Sequence, residues 1–133
     1  MRANIDQQIE GATMNFNQLT ELFKIEENIR YVGVVDKNDA VLFSKMREAI
    51  APVNPEHTDD EPLSIYPPLI IRAAERMQPI FGDIQGIGIR YRNLLLALYH
   101  VNDLLVIVSL NPVPMAPLLA ITIGENIRKI LHG

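Results

Sequence analysis

Residues 29–36, which read IRYVGVVD, decide the fold because a turn and a second apolar run follow them directly. The stretch is rich in β-branched and aromatic residues, a composition that favours strands. Lys37, Asn38 and Asp39 are typical turn residues, and residues 40–44 (AVLFS) return to an apolar sequence. Together the three pieces predict a β-hairpin.

Three more strand-like runs lie further along the chain, at residues 86–92, 94–101 and 104–110. The pairs Arg92-Asn93 and Asn102-Asp103 between them are suited to tight turns, so the runs predict a meander. The last two runs are apolar at consecutive positions, as is typical of strands that are covered on both faces. We therefore expect a sheet with helices on both sides.

Helical spacing frames these strands. Near the N-terminus, apolar residues recur every three or four positions, which is the spacing of one face of a helix. This spacing predicts a helix over 15–28, and Gly11 makes the earlier part of the stripe less favourable for a helix. The members of the stripe are Ile5, Ile9, Ala12, Phe16, Leu19 and Phe23. Residues 1–14 are then an N-terminal extension, either helical or disordered. We expect the domain to stay folded without residues 1–13.

A second helix is predicted over 69–81, with Pro67 or Pro68 in its first turn. We expect its buried stripe to contain Leu69, Ile70, Ala73, Ala74 and Met77. A third helix should follow Pro114, since Leu119, Ile123, Ile127 and Ile130 share one face. Between hairpin and second helix, the proline-rich and acidic residues 51–68 predict an irregular connection.

Composition limits the classes of function. A chain of 133 residues with 48% hydrophobic content fits one domain, and a net charge of −4 disfavours general binding to nucleic acid or anionic membranes. The absence of cysteine removes disulfides and thiolate chemistry and suits a reducing compartment, so we expect the cytoplasm. The run 104–110 is too short to span a bilayer, and the opening residues MRANID are too polar for a signal peptide.

The order helix, two strands, helix, three strands, helix, together with residues 29–44 and 102–109, resembles the roadblock/dynein light chain domains, relatives of the longin and profilin-like folds. The chain is also similar to small archaeal members of this group, in which a pair like Met46-Arg47 follows the second strand. The resemblance implies an α/β (α+β) domain over residues 15–133, a five-stranded antiparallel sheet with one helix on one face and two on the other. It further implies homodimers joined through third strands, and a role as a scaffold or regulator of a small GTPase or signalling complex.

Candidate sites for chemistry are weak. Residues 57–61 (HTDDE) could hold a divalent ion, but a solvated acidic loop explains them better, and chelators should leave the fold unchanged. Gly82, Gly86 and Gly88 match no phosphate-binding motif, and the last two more plausibly permit a close backbone approach. The scattered histidines give no hydrolytic triad, and we expect His100 to be a satisfied polar residue at the sheet margin. We expect no catalytic residue, cofactor or metal.

Two surfaces are predicted to bind other molecules. An edge strand without proline or lysine invites pairing with a second copy, so the dimer interface should contain Ile71, Ala74, Gln78, Ile87, Gly88, Ile89 and Tyr91. Arg30, Arg90 and Arg92 have even spacing within their strands and could form one cationic patch for an acidic partner. A structural explanation is favoured, in which Arg30 caps a strand edge and the other two are solvated or ion-paired. Two alternatives stay open: a small-ligand sensor with residues 51–68 as its lid, and a metal-assisted enzyme.

Overall fold

The computed structural model describes residues 15–48 and 67–132. The N-terminal extension and most of the acidic connection, including residues 57–61, lie outside the described residues. The first described element is a 3₁₀ turn, Phe16–Glu21, that continues into α1, Leu22–Ile25. The other elements are β1 (Ile29–Val35), β2 (Val41–Met46), α2 (Pro67–Glu75), α3 (Gln78–Phe81), β3 (Ile87–Arg90), β4 (Leu95–Val101), β5 (Leu104–Leu110) and α4 (Ala116–His132).

The five strands form one antiparallel sheet in the order β2-β1-β5-β4-β3, so β2 and β3 are its edges. The predicted hairpin and meander are both present. Asn102 and Asp103 have positive φ values of 49° and 66°, as a two-residue hairpin turn between β4 and β5 requires. The sheet has the number and direction of strands that the resemblance implied.

The central strands carry apolar side chains on both faces, so the core has two layers, one on each side of the sheet. One layer joins the sheet to α1 and α4, through buried residues such as Leu22, Val108 and Ile127. The other joins the opposite face to α2, through Ile71, Leu98 and Ile107. The prediction that β4 and β5 are covered on both faces, by helices on both sides, is therefore confirmed.

The second predicted helix is divided in two at Arg76 and Met77. Pro79 explains the break, because proline has no N–H to donate to the carbonyl of Glu75 and in a continuous helix its ring would clash with that carbonyl. The chain resumes as α3, with Pro79 in the first turn, where the missing donor costs nothing.

The predicted buried stripe of that helix was wrong. Leu69, Ile70, Ala73 and Met77 are exposed or largely exposed, whereas Pro68 and Ile71 face the sheet. Arg72 and Glu75 lie beside Ile71 on the helix and contact Asp39 of the first turn and His100 of the sheet. The more continuous apolar stripe of α2 points away from the core.

Candidate interaction surface

The open edge of β3 is the first feature of the candidate site. Ile87 and Ile89 are half-buried and pack toward the layer of α2, while Gly88 and Arg90 are exposed on the opposite face. Within the described residues β3 pairs only with β4. Its outer row of N–H and C=O groups is therefore available to another strand.

The ladder shows which backbone donors point outward. The N–H of Tyr91 donates to the carbonyl oxygen of Leu94 at 2.8 Å, which closes the turn between β3 and β4. Because antiparallel pairs alternate between bonded and non-bonded, the N–H groups of Ile89 and Ile87 also point to β4. The N–H groups of Gly88 and Arg90 must then point away from the sheet.

Large apolar side chains adjoin this edge on the α2 face. Ile80 and Phe81 of α3 are 71% and 78% exposed, and Tyr91 continues the alternation of Ile87 and Ile89 with 55% exposure. The Gln78 side chain accepts a hydrogen bond from the Ile84 N–H at 3.0 Å, which holds α3 close to the start of β3. We call this region the edge surface; it consists of Ile80, Phe81, Ile87, Ile89 and Tyr91. Neighbouring exposed apolar side chains of this kind are typical of a surface that binds another molecule.

An ion-pair network fixes α2 beside the edge surface. Arg72 contacts Asp39 of the hairpin turn at 3.0 Å and Glu75 at 3.2 Å, and Glu75 in turn contacts His100 Nε2 at 3.2 Å. The network joins the β1–β2 turn, α2 and β4. The prediction that His100 is a satisfied polar residue is confirmed.

The structure divides the predicted interface residues into three groups. Ile71 is fully buried in the core of its own chain, so it has no surface to offer a second copy and that part of the prediction needs correction. Ala74 and Gln78 are half-buried beneath the outer stripe of α2 and α3. Ile87, Gly88 and Ile89 belong to the edge strand β3, and Tyr91 directly follows it.

The three arginines do not form one patch. Arg30 is buried at a bulge in β1, where its Nη1 donates to Asn111 Oδ1 at 3.1 Å. Arg90 and Arg92 are exposed at the far edge, and β5 and β4 stand between them and β1. Even spacing could not reveal this, because the bulge and the strand order are properties of the whole sheet.

Gly86 and Gly88 also differ from the prediction. A Cβ at Gly86 would make ordinary contacts of 3.5 Å or more, and a Cβ at Gly88 would have no atom of the described residues within 4 Å. Neither glycine is required by a close approach among those residues. Gly88 instead leaves open space on the α4 face of β3.

Arg47 is the residue that sequence reasoning undervalued. Its guanidinium donates to the carbonyl oxygens of Ile29, Phe23 and Glu26, and lies over the Phe23 ring with 5.1 Å between Cζ and the ring centroid. The only sequence signal was the family-like pair Met46-Arg47. Its role is to fasten the first helix to the hairpin.

The described residues bring no catalytic constellation together. Ser44 donates to the Tyr31 hydroxyl at 3.1 Å, and the hydrogen-bonding partner of His132 is Asn102. In residues 15–48 and 67–132 no group of three His, Cys, Asp or Glu side chains could hold a metal ion. No helix in the same two ranges has both the length and the apolarity needed to cross a bilayer.

Solved structures resemble this arrangement over nearly the whole chain, although no protein-family model and no curated protein matches it. A roadblock/LC7 domain from Streptomyces avermitilis superimposes with a TM-score of 0.62 at 11% identity, over 91% of this chain and 100% of its own. The gliding protein MglB from Thermus thermophilus gives 0.60 at 17% identity, over 93% and 98%. MglB from Myxococcus xanthus gives 0.61 at 14% identity, over 93% and 95%.

The chain has the roadblock fold. The fold accounts for the placement of α1 and α4 on one face of the sheet and α2 on the other, and so confirms what the resemblance implied for the architecture. Within this roadblock fold the edge surface and the exposed stripe of α2 lie on the same side. The candidate site is therefore one side of the sheet together with its β3 edge.

Proposed function

We propose that the chain is a non-enzymatic, cytoplasmic homodimer that serves as a scaffold or regulator of a small GTPase or signalling complex. The observation that carries the proposal is the edge surface: an unpaired strand edge continuous with exposed Ile80, Phe81 and Tyr91. Joining β3 to its symmetry mate would pair the outer backbone groups and extend the sheet to ten strands.

The outer stripe of α2 supports the same interface. Leu69 is 66% exposed and Ile70 also reaches solvent, so two copies related by a two-fold axis could bury these side chains against each other. The dimer-contact residues proposed are thus the edge surface and Gly88, together with Leu69 and Ile70 of α2. Half-buried Ala74 and Gln78 border the contact, and Ile71 supports it from beneath.

The similar solved structures support self-association of this fold but do not identify the partner. One of them is described as MglB with a tetrameric arrangement, so self-association occurs on this fold. The roadblock resemblance is the reason for naming a small GTPase. The lack of a catalytic constellation in the described residues favours binding over turnover.

The dimer is tested by a proline that removes an outward donor. The Ile89 N–H points to β4, so Ile89→Pro would break the pairing of β3 with β4. The Gly88 N–H points away from the sheet, so Gly88→Pro removes an outward donor and leaves β3 paired with β4. We expect Gly88→Pro to be a folded monomer by light scattering. Ser44→Pro on the other edge strand, β2, is the matched control. The Arg47 N–H donates to the Arg30 carbonyl at 2.8 Å, so the N–H of Arg47 points toward β1. Because inward and outward N–H groups alternate along a strand, the Ser44 N–H points away from the sheet. A Gly88→Pro dimer, or a Ser44→Pro monomer, would refute the interface.

The partner is tested separately. Small GTPases from the same organism, loaded with GDP or with a non-hydrolysable GTP analogue, are titrated against the wild-type dimer by calorimetry. We expect one nucleotide state of at least one GTPase to bind more tightly than the other. Failure of every GTPase to bind would refute this part of the proposal and leave the dimer unaffected.

A further inference from the structure

A second exposed apolar surface lies on the opposite face of the sheet. Met115, Leu118 and Ile121 are 55%, 57% and 64% exposed, and their spacing of three forms a ridge at the start of α4. These side chains point away from the buried row that contains Ala116, Ile123 and Ile127. The core of the chain therefore does not explain them.

The position of α4 brings this ridge next to β3. The Tyr99 ring of β4 packs under Gly124, and the Tyr99 hydroxyl donates to the Ala120 carbonyl. Further along, Arg128 Nη2 donates to the carbonyl of Gln85, just before β3, at 2.6 Å. The helix thus runs along β4 with β3 beside it.

The strand register places Arg90 near the start of the ridge. Leu110, Leu95 and Arg90 lie in one row across β5, β4 and β3, and α4 begins shortly after Leu110. Arg90 shares a face with its partner Leu95, which packs in the α4 layer. Arg92 lies in the adjoining turn. The α4 surface is defined as Met115, Leu118, Ile121, Arg90 and Arg92.

Charge distinguishes this surface from the rest of an acidic chain. Residues 115–124 contain no charged side chain. Arg90 and Arg92 make no side-chain hydrogen bond or ion pair with another described residue, whereas Arg47, Arg72 and Arg128 each bind protein oxygens. Two guanidinium groups that have no partner among residues 15–48 and 67–132, beside an apolar ridge, complement carboxylates beside apolar side chains.

We propose that the α4 surface binds an amphipathic helix of a partner protein, with acidic residues along the flank of its apolar stripe. A helix fits because the ridge runs along α4 and ridges of one helix pack into the grooves of another. Open space above Gly88 gives room for the partner beside α4. The inference deepens the proposed interaction role and rests on it, but it applies to each protomer and does not require the dimer.

The test uses a synthetic helical peptide of about 18 residues, with leucines in one stripe and glutamates along its flank. A second peptide has lysine in place of every glutamate. Fluorescence anisotropy should show that the lysine peptide binds the full chain at least about tenfold more weakly, and that binding of the glutamate peptide weakens as salt is added. Equal affinity for the two peptides, or no binding of the glutamate peptide, overturns the proposal.

Variants locate the binding site. The double variant Arg90→Glu/Arg92→Glu should bind the glutamate peptide at least about tenfold more weakly than the wild type does. The single variant Ile121→Ser should do the same. Arg76→Glu and Met77→Ser are matched exposed controls beside α2 and α3, on the other side of the sheet, and should bind normally. If the controls lose binding and the α4 variants do not, the proposed surface is wrong.

Two further measurements separate the possible failures. Vesicles of phosphatidylserine and phosphatidylcholine test whether the acidic partner is a membrane. If the wild-type protein binds these vesicles but not the glutamate peptide, and the double arginine variant does not bind the vesicles, the proposal of a protein partner is wrong. Light scattering of the α4 variants should show an unchanged oligomeric state. Failure of peptide binding with an intact dimer therefore refutes only this inference.

Discussion

Arg47 Nη2 donates to the carbonyl oxygen of Glu26 at 2.8 Å, at the point where α1 ends. The same guanidinium binds the Phe23 and Ile29 carbonyls, at 3.0 and 2.6 Å. The last carbonyls of a helix have no partner within it, so another donor must satisfy them. One side chain from the end of β2 therefore caps the first helix and joins it to β1.

Replacing Arg47 by alanine should reduce the free energy of unfolding by about 2–3 kcal/mol, because several carbonyls lose a charged donor at once. Urea denaturation measures the change. Arg47→Lys should recover only part of the loss, since an ammonium group cannot reproduce the planar fork. Arg90→Ala, at an exposed arginine, is the control and should change little. A near-neutral Arg47→Ala variant would contradict the capping role.

Much of the sheet could be predicted from the sequence. β5 was predicted at residues 104–110 and occupies Leu104–Leu110, because a long apolar run between turn residues has few alternatives. Residues 29–44 gave both strands of the hairpin for the same reason. The edge position of β3, however, came from the family resemblance, since strand order depends on contacts between residues far apart in sequence.

The orientation of α2 could not be predicted from its apolar spacing. The stripe that includes Leu69 and Ile70 is the more regular one, yet Ile71 faces the core, and this orientation brings Arg72 to Asp39 and Glu75 to His100. Those partners lie far away in the sequence. Periodicity identifies an apolar face but does not say whether the chain itself or another molecule covers it.

Gly124 permits close packing of α4 on β4. A Cβ there would lie 2.7 Å from Tyr99 Cε1, far inside normal contact. Gly124→Ala should therefore reduce stability by about 1–3 kcal/mol, in spite of the higher helix propensity of alanine. Thermal melting checks it. In the double variant Gly124→Ala with Tyr99→Leu, the added loss from alanine should be smaller. If alanine at Gly124 stabilises the protein, the steric explanation is wrong.

Tyr99 should make the fold sensitive to alkali. Burial raises the pKa of Tyr99 above its ordinary value of 10.0, while the neighbouring Arg128 acts in the opposite direction. The neutral phenol is favoured in the folded state, so stability is intact below the unfolded pKa and is lost as pH rises through and above about 10. The Tyr99→Phe variant should be less stable than the wild type at neutral pH. Between pH about 9 and 11, its free energy of unfolding should fall less than that of the wild type. Parallel urea curves for both proteins at each pH would decide it, and identical pH dependence would contradict the assignment.

The last prediction concerns the network that orients α2. Arg72 Nη2 donates to the Lys37 carbonyl at 3.1 Å and contacts Asp39 at 3.0 Å, so Arg72→Ala releases the helix from the hairpin turn. Because these groups are partly exposed, we expect a loss of only about 1 kcal/mol in global stability. Hydrogen exchange of α2 should nevertheless become faster, since the local anchor is gone while Ile71 stays in the core. Arg76→Ala, four residues later and without an ion pair among the described residues, is the matched control. Unchanged exchange in Arg72→Ala would show that apolar packing alone sets the orientation of α2.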